Sequence, residues 1–179
     1  MKKISKHISY KEATHSDTAK RKGLKNKPKA EHIENMELIA EKLFEPLREW
    51  VDTPIRINSM FRSVELNTAI KGAYKSQHMN GQAIDLTSMG GKTNLEMFHY
   101  IKDNLDFDQL IWEFGAEPKW LHVSYVSEKE NRKRLYMVIF KKDNFIYGLG
   151  IGLIMPILSF FGYYYWKFSL FSFARFLSA

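Results

Sequence analysis

The sequence contains no cysteine, which excludes disulfide bonds and thiolate metal sites. A metal ion in this protein would therefore need histidine and carboxylate ligands. Lys2 and Lys3 are not followed by an apolar stretch, so the amino-terminal residues lack the pattern of a secretory signal peptide. The helical zinc motif His-Glu-x-x-His is also missing. These absences exclude a fold stabilised by disulfide bonds, and they give no support to the class of metalloproteases that carry this helical motif.

Acidic residues are scarce in residues 1–30, where only Glu12 and Asp17 accompany ten lysines and arginines. The segment carries a net charge of +8, and the whole chain carries +7. Such a basic face could bind nucleic acid, anionic lipid or an anionic wall polymer. Few aromatic residues lie among these lysines, so specific nucleic-acid binding is not expected, and a solvated face is the simpler interpretation.

Hydrophobic residues make up 45% of the chain and aromatic residues 15%, which is enough for a folded core. Apolar periodicity predicts helices over about 30–50, 64–70 and 95–104, and a short capped helix ends at Gly23. Alternating patterns predict strands at 54–58, 83–86, 107–114, 120–126, 135–140 and 145–149. Pro46 is expected to kink the long helix or tighten its last turn. The pattern predicts an α+β fold with helices packed on a small antiparallel sheet.

A long uncharged run occurs only near the carboxyl end. Residues 145–166 contain no charged side chain, and as a helix of about 33 Å they would span a bilayer. Lys141, Lys142 and Lys167 flank this run, and residues 163–166 resemble an interfacial aromatic belt. We therefore expect a folded domain over 1–147 and a hydrophobic tail over 148–179 that forms a membrane helix, and packing of this tail onto the domain is the alternative. A start of that helix at 148, after a terminal hairpin, is the alternative to a start at 145.

One imidazole and one carboxylate lie seven residues apart within the segment 76–85. Gly81 permits a sharp turn between His78 and Asp85. His122 lies on a later apolar strand and points to the face opposite its apolar neighbours. Two histidines and one aspartate make three ligands, and catalytic zinc commonly takes three ligands from the protein. Spacing alone leaves a structural role for these side chains open.

The pattern Ser-x-His-x-x-Gly-x-Ala-x-Asp, followed later by Trp-x-His, resembles the zinc D-alanyl-D-alanine carboxypeptidases. That family also includes phage L-alanyl-D-glutamate endolysin peptidases and the vancomycin-resistance D,D-dipeptidases. The matching positions are Ser76, His78, Gly81, Ala83, Asp85, Trp120 and His122. The segments 57–63, 109–114 and 122–125 are also similar to the family, and the resemblance covers about residues 4–147.

This resemblance implies that Zn²⁺ is bound by His78, Asp85 and His122. It also implies that Arg62 binds a carboxylate or carbonyl of the substrate, for which a guanidinium group is suited. An ion-pairing arginine is the alternative. Ser76 is expected to orient the loop or a metal ligand without binding the metal itself.

One position departs from the family pattern. Members commonly have an acidic residue three positions before the last histidine, where it acts as general base, and this chain has Lys119 there. Glu113 is the preferred substitute because a carboxylate can accept a proton from the attacking water. Glu117 in the following loop is the second choice, and a structural role for Glu113 is the alternative.

Together these features predict a zinc-dependent peptidase that hydrolyses peptide bonds in the stem peptides of bacterial peptidoglycan. It would act as a D,D-carboxypeptidase or as an endolysin-type endopeptidase. The alternative, suggested by Lys119, is a catalytically weak zinc-stabilised module that binds the wall or a partner. We expect a monomeric phage or prophage lysis enzyme. With no signal peptide visible, it would be either membrane-associated through its tail or cytoplasmic until lysis.

Overall fold

The computed structural model describes residues 2–115, 117–142 and 145–151. The helices in this part of the chain are α1 (Tyr10–Ala13), α2 (Asp17–Lys22), α3 (Ala30–Ile39), α4 (Glu45–Val51), α5 (Val64–Ala69) and α6 (Asn94–Asn104). The strands are β1 (Ile55–Ser59), β2 (Ala83–Ser88), β3 (Gln109–Glu113), β4 (Trp120–Ser124), β5 (Arg134–Lys142) and β6 (Phe145–Ile151). A π-helical turn, Ala40–Phe44, joins α3 to α4, and a 3₁₀ turn, Gln77–Asn80, precedes β2. The prediction of an α+β fold is confirmed.

The strands form one sheet in the order β1-β2-β4-β3-β5-β6. Neighbouring strands are antiparallel, except that β3 and β5 are parallel. The prediction of an antiparallel sheet is therefore wrong for this pair, and the sheet is mixed. The reason is that β4 already has β2 on one edge and β3 on the other. The returning chain adds beside β3, and a strand antiparallel to β4 is necessarily parallel to β3.

Residue alternation gives the sheet one apolar face and one mixed face. The apolar face carries the fully or almost fully buried side chains Ile84, Leu86, Leu110, Trp112, Leu121 and Val123. They share one core cluster with buried residues of α3, α4 and α6. The opposite face carries the alternate residues of β2, β3 and β4, including Asp85, Ile111 and His122. Candidate site residues therefore lie on the face that the core does not cover.

The long helix predicted over 30–50 is continuous but not uniform. The turn Ala40–Phe44 is widened, and the main-chain N–H of Glu45 donates to the carbonyl of Ala40. Pro46 follows at the start of α4. Because proline has no N–H to donate, the ordinary helical hydrogen bond is lost at this position. The helix thus changes in the turn before Pro46, and it widens there rather than tightening.

Serine side chains cap the first turns of the shorter helices. Ser16 and Ser63 accept hydrogen bonds from main-chain N–H groups in the first turns of α2 and α5. Gly23 ends α2 with a left-handed φ of 64°. Ser63 directly follows Arg62, so the cap of α5 also fixes the end of the loop that carries this arginine.

Only the first part of the predicted membrane helix, residues 145–151, lies among the described residues. Residues 145–151 pair with β5 as β6, so a helix that begins at 145 or at 148 is not what the structure shows. The rest of the predicted membrane helix, residues 152–179, lies outside the described residues. Within the described ranges, no helix combines the length and the apolar character needed to cross a bilayer.

Candidate metal centre

Three side chains that are distant in sequence converge on the mixed face of the sheet. Asp85 on β2 lies directly opposite His122 on β4, so their side chains share a face. His78 reaches the same point from the 3₁₀ turn. Its Nε2 lies 3.1 Å from Asp85 Oδ1 and 3.1 Å from His122 Nδ1, and His122 Nδ1 lies 2.9 Å from Asp85 Oδ1. The structure therefore brings the three predicted ligands together in a group that could hold a metal ion.

The size of this triangle fits a tetrahedral metal ion. Zinc bonds of 2.0–2.1 Å place two ligand atoms about 3.3 Å apart, close to the distances between these three atoms. His78 Nδ1 donates to the carbonyl of Met60 at 2.7 Å. In the neutral ring, this bond leaves a lone pair on Nε2, and an outer hydrogen bond of this kind is usual for a metal-binding histidine. The donor set therefore fits zinc.

The protonation states also favour a cation. Burial lowers the pKa of the His78 imidazole more than the Asp85 carboxylate raises it. Burial opposes ionisation of Asp85, but its interactions with the adjacent His78 and His122 rings outweigh this effect. These interactions hold the pKa of Asp85 well below its usual range. A neutral imidazole and an ionised carboxylate are the forms that bind metals.

Arg62 contacts the outer oxygen of Asp85. Its Nη2 donates to Asp85 Oδ2 at 2.6 Å, and its Nε donates to Ser59 Oγ at 2.8 Å. Its main-chain N–H donates to the His78 carbonyl at 3.1 Å. This ion pair turns Oδ1 of Asp85 toward the histidines. Arg62 thus makes the ion pair that was given above as the alternative to substrate binding. Substrate binding by Arg62 stays a prediction.

Glu113 lies on the same face of the sheet as the ligands. Ile111 is directly opposite His122, and Glu113 follows two residues later, opposite Trp120. Glu113 and His122 are thus diagonal neighbours on adjacent strands, which are typically separated by about 7–8 Å at their Cα atoms. Lys119 is exposed, and its main-chain N–H donates to the Glu113 carbonyl at 2.9 Å.

The residue after Glu113 has an unusual main-chain conformation. Phe114 has a left-handed φ of 64°, which is costly for a residue with a side chain. Its N–H donates to the Val138 carbonyl at 2.8 Å, and its ring lies 5.0 Å from the Trp120 ring. These contacts hold the end of β3 in place, so the main chain at Glu113 is well defined. Glu117 follows as an exposed loop residue.

Ser76 and Met60 illustrate a difference between the predicted and the observed surroundings of His78. Ser76 precedes the 3₁₀ turn, and its hydroxyl makes no capping hydrogen bond. The group that orients the His78 ring is the Met60 main-chain carbonyl, which has no signature in a sequence. The predicted orienting role of Ser76 stays a prediction.

A second buried carboxylate ties the turn that carries His78 to the sheet. Asp108 accepts hydrogen bonds from Gln77 Nε2 at 2.9 Å and from Arg132 Nε at 2.6 Å. Gln77 Oε1 accepts a hydrogen bond from Gln109 Nε2 at 2.8 Å. Burial would raise the pKa of Asp108, but the hydrogen bonds from Arg132 and Gln77 outweigh it and lower the pKa. Sequence reasoning missed this network, because its members are far apart along the chain.

A family model described as Peptidase M15 matches residues 6–124. The chain belongs to the peptidase M15 family. The matched range contains the three candidate ligands, Arg62, Ser76 and Glu113, and it ends with β4. Comparison with curated proteins found no match.

Membership of the M15 family confirms the resemblance that the two motifs carry, and it implies a hydrolase of the peptidase class. M15 peptidases are metallopeptidases that typically use zinc. In the part of this M15 chain that the structure describes, His78, Asp85 and His122 form the group that could hold such an ion.

Proposed function

We propose that this M15 peptidase hydrolyses peptide bonds in the stem peptides of bacterial peptidoglycan, with zinc bound by His78, Asp85 and His122. The observation that carries the proposal is the convergence of these three donor atoms within 2.9–3.1 Å on the mixed face of the sheet. Both a D,D-carboxypeptidase and an endolysin-type endopeptidase would fit this arrangement.

The chemistry divides between the metal and the side chains around it. When bound, zinc would lower the pKa of a coordinated water and polarise the scissile carbonyl. Glu113 would accept the proton of the attacking water and pass it to the leaving amine. Its place two residues beyond Ile111, on the face that carries His122, supports this role.

Arg62 would take part in two ways. Its contact with Asp85 Oδ2 holds the ligand in position. The hydrogen bonds of its side chain to other described residues use Nε and Nη2, which leaves its Nη1 donors for a carboxylate or carbonyl of the substrate. A guanidinium group can bind such a group with paired hydrogen bonds.

The test is digestion of purified muropeptides by the zinc-loaded protein, with mass spectrometry of the products. We expect cleavage products that gain the mass of water, loss of cleavage with a chelator, and recovery with added zinc. His122→Ala should abolish both zinc binding and cleavage, whereas the control His15→Ala, at an exposed histidine paired with Asp17, should change neither.

Two results would contradict the proposal. Zinc binding without any cleavage by the wild-type protein would favour the zinc-stabilised wall- or partner-binding module that Lys119 suggests. Cleavage that survives both the chelator and His122→Ala would remove the metal from the reaction. Mass spectrometry would also identify the bond that is cleaved, which separates the carboxypeptidase from the endopeptidase.

A further inference from the structure

Asn26 lies in the loop between α2 and α3, 52 positions before the first metal ligand, His78. Its side chain nevertheless bonds the main chain on both sides of Arg62. Nδ2 donates to the Phe61 carbonyl at 3.0 Å and to the Thr14 carbonyl at 3.0 Å. Oδ1 accepts from the main-chain N–H of Ser63 at 2.7 Å.

These contacts enclose a single residue. The Phe61 carbonyl belongs to the peptide group before Arg62, and the Ser63 N–H belongs to the peptide group after it. One carboxamide therefore holds both peptide groups that determine the direction of the Arg62 side chain. A carboxamide suits this position because it donates and accepts at the same time, whereas a carboxylate only accepts.

The rest of the loop is held from two other directions. The Phe61 N–H donates to the Ala13 carbonyl at 3.0 Å, and the Arg62 N–H donates to the His78 carbonyl at 3.1 Å. The side chain of Arg62 then contacts Asp85 at 2.6 Å. A continuous path of hydrogen bonds thus runs from Asn26 through the Arg62 loop to a proposed metal ligand.

We propose that Asn26 is a positioning residue that acts through Arg62 on Asp85, and that it thereby sets the metal affinity and the substrate contact of the proposed peptidase site. The inference rests on the proposed function only for its substrate part. The metal part concerns the three ligands and can be tested without any substrate.

The decisive variant is Asn26→Asp, which keeps the size of the side chain and its acceptor for Ser63 but loses both donors. The matched control is Asn104→Asp, because the Asn104 amide also donates to a main-chain carbonyl, that of Tyr100 at 3.1 Å, but at the end of α6. Zinc affinity is measured by competition with a chromophoric chelator. We expect Asn26→Asp to weaken zinc binding roughly tenfold, which is the effect of substituting residues that support a metal ligand. Asn104→Asp should leave zinc binding unchanged.

A double-mutant cycle separates positioning from a general structural effect. If Asn26 acts through Arg62, Asn26→Asp should weaken zinc binding in the wild-type background but add little once Arg62→Ala is present. Equal losses in both backgrounds would overturn the proposal, as would unchanged zinc affinity in Asn26→Asp. Melting curves check that each variant is folded. If Asn26→Asp does not fold, Asn26→Ala takes its place, and failure of both to fold would assign Asn26 a general structural role and overturn the proposal.

Activity supplies a separate readout. On muropeptides, kcat/KM should fall for Asn26→Asp and for Arg62→Ala, and the double variant should be no worse than Arg62→Ala alone. If the wild-type protein binds zinc but cleaves nothing, the proposed function fails. The zinc-affinity cycle still decides the role of Asn26 in that case.

Discussion

Glu113 and Glu117 are four positions apart, yet they have different surroundings. Glu113 ends a strand on the face that carries His122, whereas Glu117 is exposed in the loop that follows. Glu113→Gln keeps the size of the side chain but cannot accept a proton. We therefore expect kcat on muropeptides to fall about 10²–10⁴-fold, with zinc affinity unchanged. Glu117→Gln is the matched control and should retain the wild-type kcat.

The comparison of these two variants also shows how the prediction could be wrong. Equal rates for Glu113→Gln and the wild-type protein would remove Glu113 from the proton transfer. A large fall in kcat for Glu117→Gln alone would transfer the role to that residue. Weaker zinc binding in Glu113→Gln would indicate that its carboxylate supports the ligands instead.

Single residues differ in how far a sequence can predict their roles. His78, Asp85 and His122 were predicted as ligands because the motifs around them resemble a known family, whereas their spacing alone left a structural role open. The contact of His78 with the Met60 carbonyl could not be predicted, since every residue has a carbonyl and only the fold selects one. The same holds for Asn26, whose three partners are all main-chain groups.

The 3₁₀ turn Gln77–Asn80 is the element on which the position of His78 depends. Gly81 ends this turn with a φ of 72°, and a Cβ there would collide with the His32 carbonyl and lie 3.1 Å from Met36 Cγ, both on α3. Gly23 also has a positive φ, of 64°, but a Cβ there would meet nothing within 4 Å. The two glycines thus share the conformational requirement and differ only in the space around them.

This difference predicts different costs for the same substitution. Gly23→Ala should lower the free energy of unfolding by about 1–2 kcal/mol, the cost of a left-handed alanine. Gly81→Ala should lower it by about 1–3 kcal/mol more, because the turn must move away from α3, and it should also weaken zinc binding. Urea unfolding and chelator competition measure the two effects. Equal losses of stability in the two variants would show that the contact with α3 does not constrain the turn.

The extents of most elements followed from local signals, but their partners did not. Apolar periodicity located α5, and alternation located β2 and β4. The parallel pairing of β3 and β5 could not be predicted in this way. The edge of β4 opposite β3 is paired with β2, a strand more than 30 residues earlier, so β5 pairs with β3 instead. Local sequence patterns carry no information about such long-range pairing.

At the scale of the whole molecule, the order of strands explains why the metal centre lies where it does. β2 and β4 are adjacent interior strands of the sheet, so Asp85 and His122 become direct cross-strand neighbours although they are 37 positions apart. The core helices cover one face of the sheet and leave the other for the site. Sequence patterns predicted which residues share a face. The family resemblance implied that Asp85 and His122 meet at one ion, but the adjacency of β2 and β4 is seen only in the structure.

The limit of the folded unit is a further property of the whole molecule. The predicted domain boundary lies between residues 147 and 148, but β6 crosses it, and residues 148–151 pair with residues 135–138 of β5. That part of β5 pairs with residues 110–113 of β3, and this range ends at Glu113. We propose that the folded unit extends through Ile151.

Two shortened chains test this limit. A chain that ends at 151 should match the full chain in zinc affinity and in free energy of unfolding. A chain that ends at 147 should be less stable by roughly 2–4 kcal/mol, because it loses several ladder hydrogen bonds worth about 1 kcal/mol each and leaves the edge of β5 exposed. Equal stability of the two shortened chains would support the boundary at 147 and show that the end of β6 contributes nothing. If the chain ending at 151 were much less stable than the full chain, residues 152–179 would have to pack against the domain, which would argue against a separate membrane helix.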